Sequence, residues 1–590
     1  MDYKELIKDM QIKTVSSFVI QIGTLLGLLC LTLMKVEMRW SEADVMLAYA
    51  IPVLGVVGLV CLMLNRRAWR WTWIDGLSSG WMVFWLLRVW MGGEFPCATS
   101  FLQMSWMCLL YMVLRMVFAG SSYTLLHLEA GLILLFGAYE SLWGFWQIIS
   151  ETSRHSMFLL TGNFLNPGPF SAYPMMGAIA GISLLSVNHN LNFNGSKNAL
   201  QSKVKIMIEV LTLVCLMVLP ATWSRAAWVG IGVVALWLFR QKYWMWRWYV
   251  WGGLLILAAV AFLMKQGSAE GRLIIWMAAL FSWYPESLWG VGYGGFNHAC
   301  AEGIAALYCQ NPVMFSGFHS AGVSELSYNA LLQILVEQGI VGAAICITLV
   351  VAVLNKAYCL CPPLFYVLVS MLFFSFFSYP LEMLPYRILL TMIVATIVSA
   401  QCNRKTEWTT HWWKPALVGV LTIAISIPLR RETERRKESD EGYKLISHLN
   451  DECFLKDYCE LQPDERDNTV FLFDMAKLLQ SNGRYNDSNA ILRQAIQVSR
   501  DPMLYVLMGN NYKSMGFLDR ADSAYVRAFQ ILPNRMYPLY KRMLLQQELG
   551  NEQLTSALAK QIVEIRPKIK SPATDEMQEK AREILAEIGK

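Results

Sequence analysis

Charged residues are scarce in this sequence. Asp, Glu, Lys and Arg make up 16% of 590 residues, against about 25% in an ordinary soluble domain. The shortage is uneven: residues 1–430 hold isolated ions between apolar runs, whereas 430–590 read like a soluble protein. A boundary near 430 is therefore expected, and the length alone calls for at least two units. Other features are missing too. Nothing resembles a nucleic-acid module, and the net charge of +6 sits mostly between apolar runs, where membrane topology would put it. The N-terminal stretch MDYKELIKDMQIK is polar and basic, and the apolar run after it has no small-residue cleavage site. That run reads as an uncleaved span rather than a signal peptide. There is no two-half symmetry of the kind many transporters carry.

What the sequence does have is apolar length. Hydrophobic residues make up 55%, mean hydropathy is +0.38, and there are 23 Trp, a residue that gathers at membrane–water interfaces. A hydrocarbon core of about 30 Å needs roughly 20 apolar residues as a helix. Candidate spans are 16–34, 44–64, 72–92, 99–118, 123–149, 169–187, 204–221, 225–240, 247–265, 329–354, 361–379, 383–401 and 413–429. The expected fold is thus all-α: a polytopic bundle of about 12–13 spans over 1–430, followed by a soluble helical domain over 431–590. Orientation comes from Lys and Arg. With the N-terminus inside, the cytoplasmic segments carry Lys4, Lys8 and Lys13, then Arg66, Arg67 and Arg70, then Lys197, Lys203 and Lys205, with Arg404, Lys405 and Lys414 last. Loops 150–168 and 266–328 then fall outside, as does the C-terminal domain. Cys300 with Cys309, and Cys453 with Cys459, are spaced as disulfides in an oxidising compartment or as free thiols.

After residue 470 a period appears. Gly483, Gly516 and Gly550 recur at spacings near 33–34, and Pro533 and Pro567 are 34 apart. Gly509, Tyr512, Gly516, Ala521, Tyr525, Ala528 and Pro533 match the small–aromatic–small pattern of a tetratricopeptide repeat. Small residues let paired helices approach, and Gly turns the chain between them. Such arrays bind a peptide or protein on a concave face; a stabilising cap with no partner is the plainer alternative.

Ionisable residues in or beside spans are costly and therefore informative. Arg88, Arg225, Arg272 and Arg387 all sit at outer ends of spans on this topology, against the positive-inside bias. Arg grips phosphate oxygens in a bidentate manner, so four converging guanidiniums would suit a pyrophosphate at the membrane surface. Snorkelling to the interface is the alternative for any one of them. The stretch TGNFLNPGPFSAY (161–173) places Asn163 and Asn166 in a Pro- and Gly-rich turn that is either a helix entry or a site for a polar headgroup or sugar.

These same stretches carry a resemblance. TGNFLNPGPFSAY looks like the G-x-x-x-N-P-N segment of the O-antigen ligase superfamily, and WSRAAWVGIG, with Ser224 and Arg225, like its Ser-Arg span opening. EGRLIIWMAALFSWYPESLWGVGYGGF (270–296) resembles the family's G-R-x-x-x-W…P-x-x-G-x-G block, and YNALLQILVEQGIVG (328–342) its H-N-x-x-L block with Glu337. All four occur in family order. The resemblance implies a GT-C-type membrane glycosyltransferase on the periplasmic face of a bacterial inner membrane. Its donor would be a glycan on an undecaprenyl-(pyro)phosphate carrier. The acceptor would be lipid A core, a protein hydroxyl or another glycan. Arg225 and Arg272 would hold the pyrophosphate, with no metal or cofactor required.

One departure stands out. Many relatives have His before Asn, and this chain has Tyr328 before Asn329. Tyr is a poor base at neutral pH, its reference pKa being about 10. His319 and Glu325, upstream in the same loop, are the substitute candidates; alternatively one is a solvated loop residue and the other a helix cap. Glu337 is expected to order packing rather than react. A transporter, or a scaffold recruiting partners through its repeats, is the competing class. The orientation has a direct test. A reporter enzyme fused after residue 445 should be active only in its periplasmic form, and activity in a cytoplasmic reporter would remove the last span.

Overall fold

The computed structural model describes residues 3–37, 39–65, 70–91, 98–190, 199–238, 248–249, 252–253, 266–284, 287–312, 324–400, 408–409, 413–447, 452–567 and 570–588. Among the described residues the regular structure is helical apart from one two-residue ribbon, β1 (Arg70–Trp71) paired antiparallel with β2 (Trp408–Thr409). The first helices are α1 (Tyr3–Thr32), α2 (Glu42–Asn65), α3 (Trp73–Met91), α4 (Ala98–Val117), α5 (Tyr123–Ser150), the single turn α6 (Pro167–Phe170), α7 (Ala172–Asn190), α8 (Ala199–Thr222) and α9 (Arg225–Leu238). Then come α10 (Gln266–Trp283), α11 (Phe296–Gln310), α12 (Ala330–Leu360), α13 (Pro362–Ser375), a 3₁₀ turn (Pro380–Glu382), α14 (Leu384–Ser399) and α15 (Trp413–Ile446). Among the described residues, eight helices are long and apolar enough to cross a membrane. Large apolar side chains such as Val53, Leu142 and Met217 stay exposed on their outer faces, as a lipid-facing surface requires.

Among the described residues three expected spans come out short. Helices α9, α13 and α14 have 14, 14 and 16 residues, below the roughly 20 needed to cross. Pro362 and Pro363 open α13, and its end turns at Phe376, which sets its length. The expected span 247–265 lies almost wholly outside the described residues. Between α5 and α7 the backbones nearly touch: a Cβ on Gly137 would stand 2.9 Å from Gly177 Cα. Small residues permit such approach where lipid offers no hydrophobic drive between helices.

Helix α12 is not the continuous span its apolar run predicts. Gly339 adopts φ 68°, ψ −171° in its middle. A break inside apolar surroundings frees backbone groups that must be paired, and the segment before α11 pairs them. Val291 N donates to Val336 O (2.9 Å) and Gly292 N to Glu337 O (3.0 Å), while Ile340 N donates to Ser287 O (2.9 Å) and Val341 N to Leu288 O (3.3 Å). A Cβ on Gly339 would lie 2.3 Å from Leu288 O, so only glycine fits this crossing.

The expected boundary at 430 falls inside α15, whose 34 residues run from the apolar bundle into the polar domain without a break. Then follow α16 (Leu455–Glu465), α17 (Thr469–Ser481), α18 (Tyr485–Val498), α19 (Pro502–Ser514), α20 (Leu518–Ile531), α21 (Met536–Glu548), α22 (Glu552–Glu564) and α23 (Pro572–Ile588). These form helical hairpins, and Gly483, Gly516 and Gly550 make the turns at φ 73°, 81° and 70°. Gly509 lies against the Tyr525 ring, where a Cβ would meet Cε1 at 2.5 Å; this is the close approach that the small–aromatic spacing anticipates.

The array is fastened to the bundle at two places. Arg39, between α1 and α2, pairs with Glu465, with Asp467 at 2.7 Å, and with Thr99 Oγ1 at 3.3 Å. On the other side α11 docks: Asn297 Oδ1 accepts from Arg500 N at 2.7 Å, and Glu302 pairs with Arg527 and Arg500. Cys300 is not bridged to Cys309, nor Cys453 to Cys459. Cys300 and Cys309 lie on one helix, about 13 Å apart along its axis, beyond the reach of about 7 Å that a bridge tolerates.

Arg39 is 19% exposed at its side chain, against 0% for Glu465 and 2% for Asp467. Arg39→Ala should therefore strand two buried carboxylates. The expected loss is toward the lower end of about 3–5 kcal/mol, because Arg436 also faces Asp467. It should appear as faster proteolysis between α15 and α16 at lower temperature, and an unchanged proteolysis profile would contradict this fastening.

Candidate functional site

A cavity of about 780 Å³ opens where α6, α9, α10 and the end of α13 meet. Its first wall begins at the end of α8. Thr222 Oγ1 donates to Leu219 O (2.7 Å) and accepts from Ser224 N (3.3 Å). This leaves Trp223 left-handed at φ 51° and 65% exposed. Helix α9 then starts at Arg225, so its first turn (Ser224, Arg225, Ala226) lines the cavity. The dipole of a helix favours an anion at such an end.

The second wall is the segment 157–168, held from beneath by buried polar groups of α5. Gln147 Oε1 accepts from Thr161 N (3.0 Å) and Gly162 N (2.7 Å), and its Nε2 donates to Gly162 O (3.0 Å). Glu140 Oε1 accepts from Asn163 Nδ2 at 2.6 Å. Asn163 is thereby turned inward as an anchor and does not line the cavity. Asn166 does line it, and caps α6 by accepting from Gly168 N at 2.8 Å.

The third wall is α10. Arg272 Nη1 donates to Phe377 O at 2.7 Å, and its guanidinium lies over the Tyr328 ring, 5.1 Å from the centroid. One turn on, Trp276 Nε1 donates to Ser327 O (2.7 Å). Burial, and then the positive charge of Arg225, hold the pKa of Arg272 below its ordinary value. The described lining residues include two arginines and no Asp or Glu. Met157, Phe158, Leu159, Trp223, Leu273 and Trp276 supply apolar walls.

The other candidate residues lie elsewhere. Arg88 Nη2 donates to Gly290 O (2.8 Å) and so clamps the crossing at Gly339. Arg387 is engaged by Glu382 (2.7 Å), Gln103 Oε1 (3.0 Å) and Leu381 O (2.6 Å). Four guanidiniums therefore do not converge; two do. Asn329 is the N-cap of α12, accepting from Leu332 N at 3.1 Å. Glu325 is not among the lining residues; desolvation and Asp501 raise its carboxyl pKa, with Arg39 opposing. His319 lies outside the described residues. Glu337 accepts from Gln333 Nε2 at 2.9 Å beside the helix break, a packing role. Sequence reasoning misses Trp223, Trp276 and Ser378 as cavity walls. The first two sit inside stretches that the motifs single out, but Ser378 carries no local signal.

Among the described residues no cluster of His, Cys, Asp and Glu could hold a metal ion. No family model matches the chain, and no curated protein matches its sequence. Among solved structures, "Crystal structure of MamA" aligns over 23% of this chain and 84% of that one, at 15% identity and a TM-score of 0.19.

Gln147 is 1% exposed. Gln147→Ala should leave the amides of Thr161 and Gly162 unpaired, costing about 1–3 kcal/mol for each. Amide exchange over 161–168 should accelerate by at least tenfold while α7 stays protected. Unchanged exchange in that segment would show that Gln147 does not hold the wall.

Proposed function

We propose that this protein is a membrane glycosyltransferase that moves a glycan from an isoprenoid pyrophosphate carrier to an acceptor at the outer face of the membrane. The observation that carries the reading is the meeting of Arg225 and Arg272 at one cavity with apolar walls and, among the described residues, no lining carboxylate. Such a lining suits an anionic headgroup joined to an apolar tail. Asn166, Ser224, Arg225 and Arg272 come from three separate stretches that each resemble the O-antigen ligase superfamily, and all four residues line this cavity. The resemblance adds a GT-C-like bundle in a bacterial inner membrane working at its periplasmic face, and the charge pattern adds a repeat array on the same side.

The chemistry is a displacement at the anomeric carbon. The acceptor oxygen forms a bond to C1 as the C1–O bond to the pyrophosphate breaks, and both bonding electrons leave with the carrier. The acceptor proton passes to a base. Arg225, Arg272 and the α9 N-terminus oppose the charge that develops on the leaving oxygen, the kind of preorganised stabilisation worth about 10²–10³ in rate per donor. The base is unassigned: Tyr328 is engaged by Arg272, Glu325 stands away from the cavity, and His319 remains a candidate from the sequence. The acceptor is lipid A core, a protein hydroxyl or a growing glycan. The array's two attachments to the bundle favour a role close to the cavity over remote recruitment.

Glycan profiling of a deletion strain, complemented with wild type, Arg225→Ala or Arg272→Ala, tests this. Each variant should insert normally and lose about 100-fold or more of the product. Loss of a lipopolysaccharide ladder identifies a ligase, shortened chains a polymerase, and loss of glycoprotein signal a protein transferase. Unchanged product in both variants would favour a transporter or scaffold instead.

A further inference from the structure

The residue before Asn329 is where this chain departs from the family it resembles, and its geometry gives it a different task. Tyr328 sits at φ 56°, a left-handed backbone that non-glycine residues adopt at some cost. Its neighbours hold it there. Ser327 N donates to Gln333 Oε1 (2.8 Å), Ser327 O accepts from Trp276 (2.7 Å), and Asn329 caps α12. The Tyr328 ring consequently turns to α10, edge-to-face with Tyr379 (centroids 5.4 Å apart) and beneath the Arg272 guanidinium. Arg272 lines the cavity, whereas Tyr328 and Tyr379 do not.

We infer that Tyr328 is a positioning residue: its ring face, with the Phe377 carbonyl, holds the Arg272 guanidinium at the cavity edge beside the like-charged Arg225. Among the described residues no carboxylate pairs with Arg272, so the ring quadrupole and one carbonyl must anchor it. A carboxylate there would neutralise the charge needed for an anion, whereas an aromatic face attracts a cation and leaves its net charge available. Tyr379 braces the ring. The hydroxyl of Tyr328 has no part in this role, and the proton from the acceptor must go elsewhere. The inference rests on the pyrophosphate reading of the cavity.

The test uses full-length protein in detergent, with farnesyl pyrophosphate as probe and inorganic pyrophosphate and farnesol as controls. Tyr328→Phe should bind farnesyl pyrophosphate within about twofold of wild type and keep glycan transfer in the complemented strain. Tyr328→Leu removes the ring face at similar bulk and should weaken binding by roughly 5- to 30-fold, the strength of a partly desolvated cation–π contact. In an Arg272→Ala background the same Tyr328→Leu change should have no further effect, a non-additivity that general loosening of the fold would not produce. Full binding by Tyr328→Leu overturns the positioning role, and so does loss of transfer in a Tyr328→Phe protein that binds normally. Equal effects of Tyr328→Leu with and without Arg272 also overturn it. Wild-type binding by Arg272→Ala would instead remove the pyrophosphate reading itself. Tighter binding of farnesyl pyrophosphate than of inorganic pyrophosphate marks a lipid-borne anion. Equal binding of the two marks a free anion, and sinks the lipid part of that reading.

Discussion

Four backbone hydrogen bonds between residues 287–292 and 336–341 join the segment ahead of α11 to the middle of α12. They exist because α12 breaks at Gly339, and a broken helix in apolar surroundings must find partners for its freed amides and carbonyls. The pairing fixes the segment between α10 and α11, and those two helices point to opposite tasks. Helix α10 carries Arg272 to the cavity, and α11 receives the repeat array through Asn297 and Glu302. Arg88 reinforces the crossing through the Gly290 carbonyl. One backbone junction thus connects the cavity wall, the docking of the array and the start of α12, where Tyr328 lies.

The cavity is built by groups that do not enter it. Gln147 and Glu140 hold the 161–168 segment from below, hydroxyls close the end of α8 ahead of Arg225, and an aromatic pair with one carbonyl steadies Arg272. Arg272 contacts a carbonyl and an aromatic ring, and neither neutralises its charge. The charge of Arg225 disfavours that of Arg272, and the proposed pyrophosphate would offset both.

Much of this architecture is legible in the sequence. The period of Gly483, Gly516 and Gly550 locates three hairpin turns, since a left-handed residue between close-packed helices favours glycine. Arg225 and Arg272 stand out because charge beside a span is expensive. Arg88 and Arg387 stand out for the same reason, yet they serve a backbone crossing and an ion pair with Glu382. Local cost flags an arginine without saying what it offsets. The break at Gly339 is hidden, because a glycine within an apolar run reads as a helix residue unless the segment that pairs with it, some 50 residues earlier, is already in place.

Sequence alone determined which segments are apolar and how the hairpins after residue 470 repeat, because these follow from hydrophobicity and glycine spacing within a few turns of chain. Tertiary structure decided which two of four arginines meet, that Asn163 anchors while Asn166 faces the cavity, and that Tyr328 lies under a guanidinium. Those outcomes join residues roughly 20 to 60 positions apart. They depend on how helices cross and which buried polar groups find partners, and no local pattern encodes that.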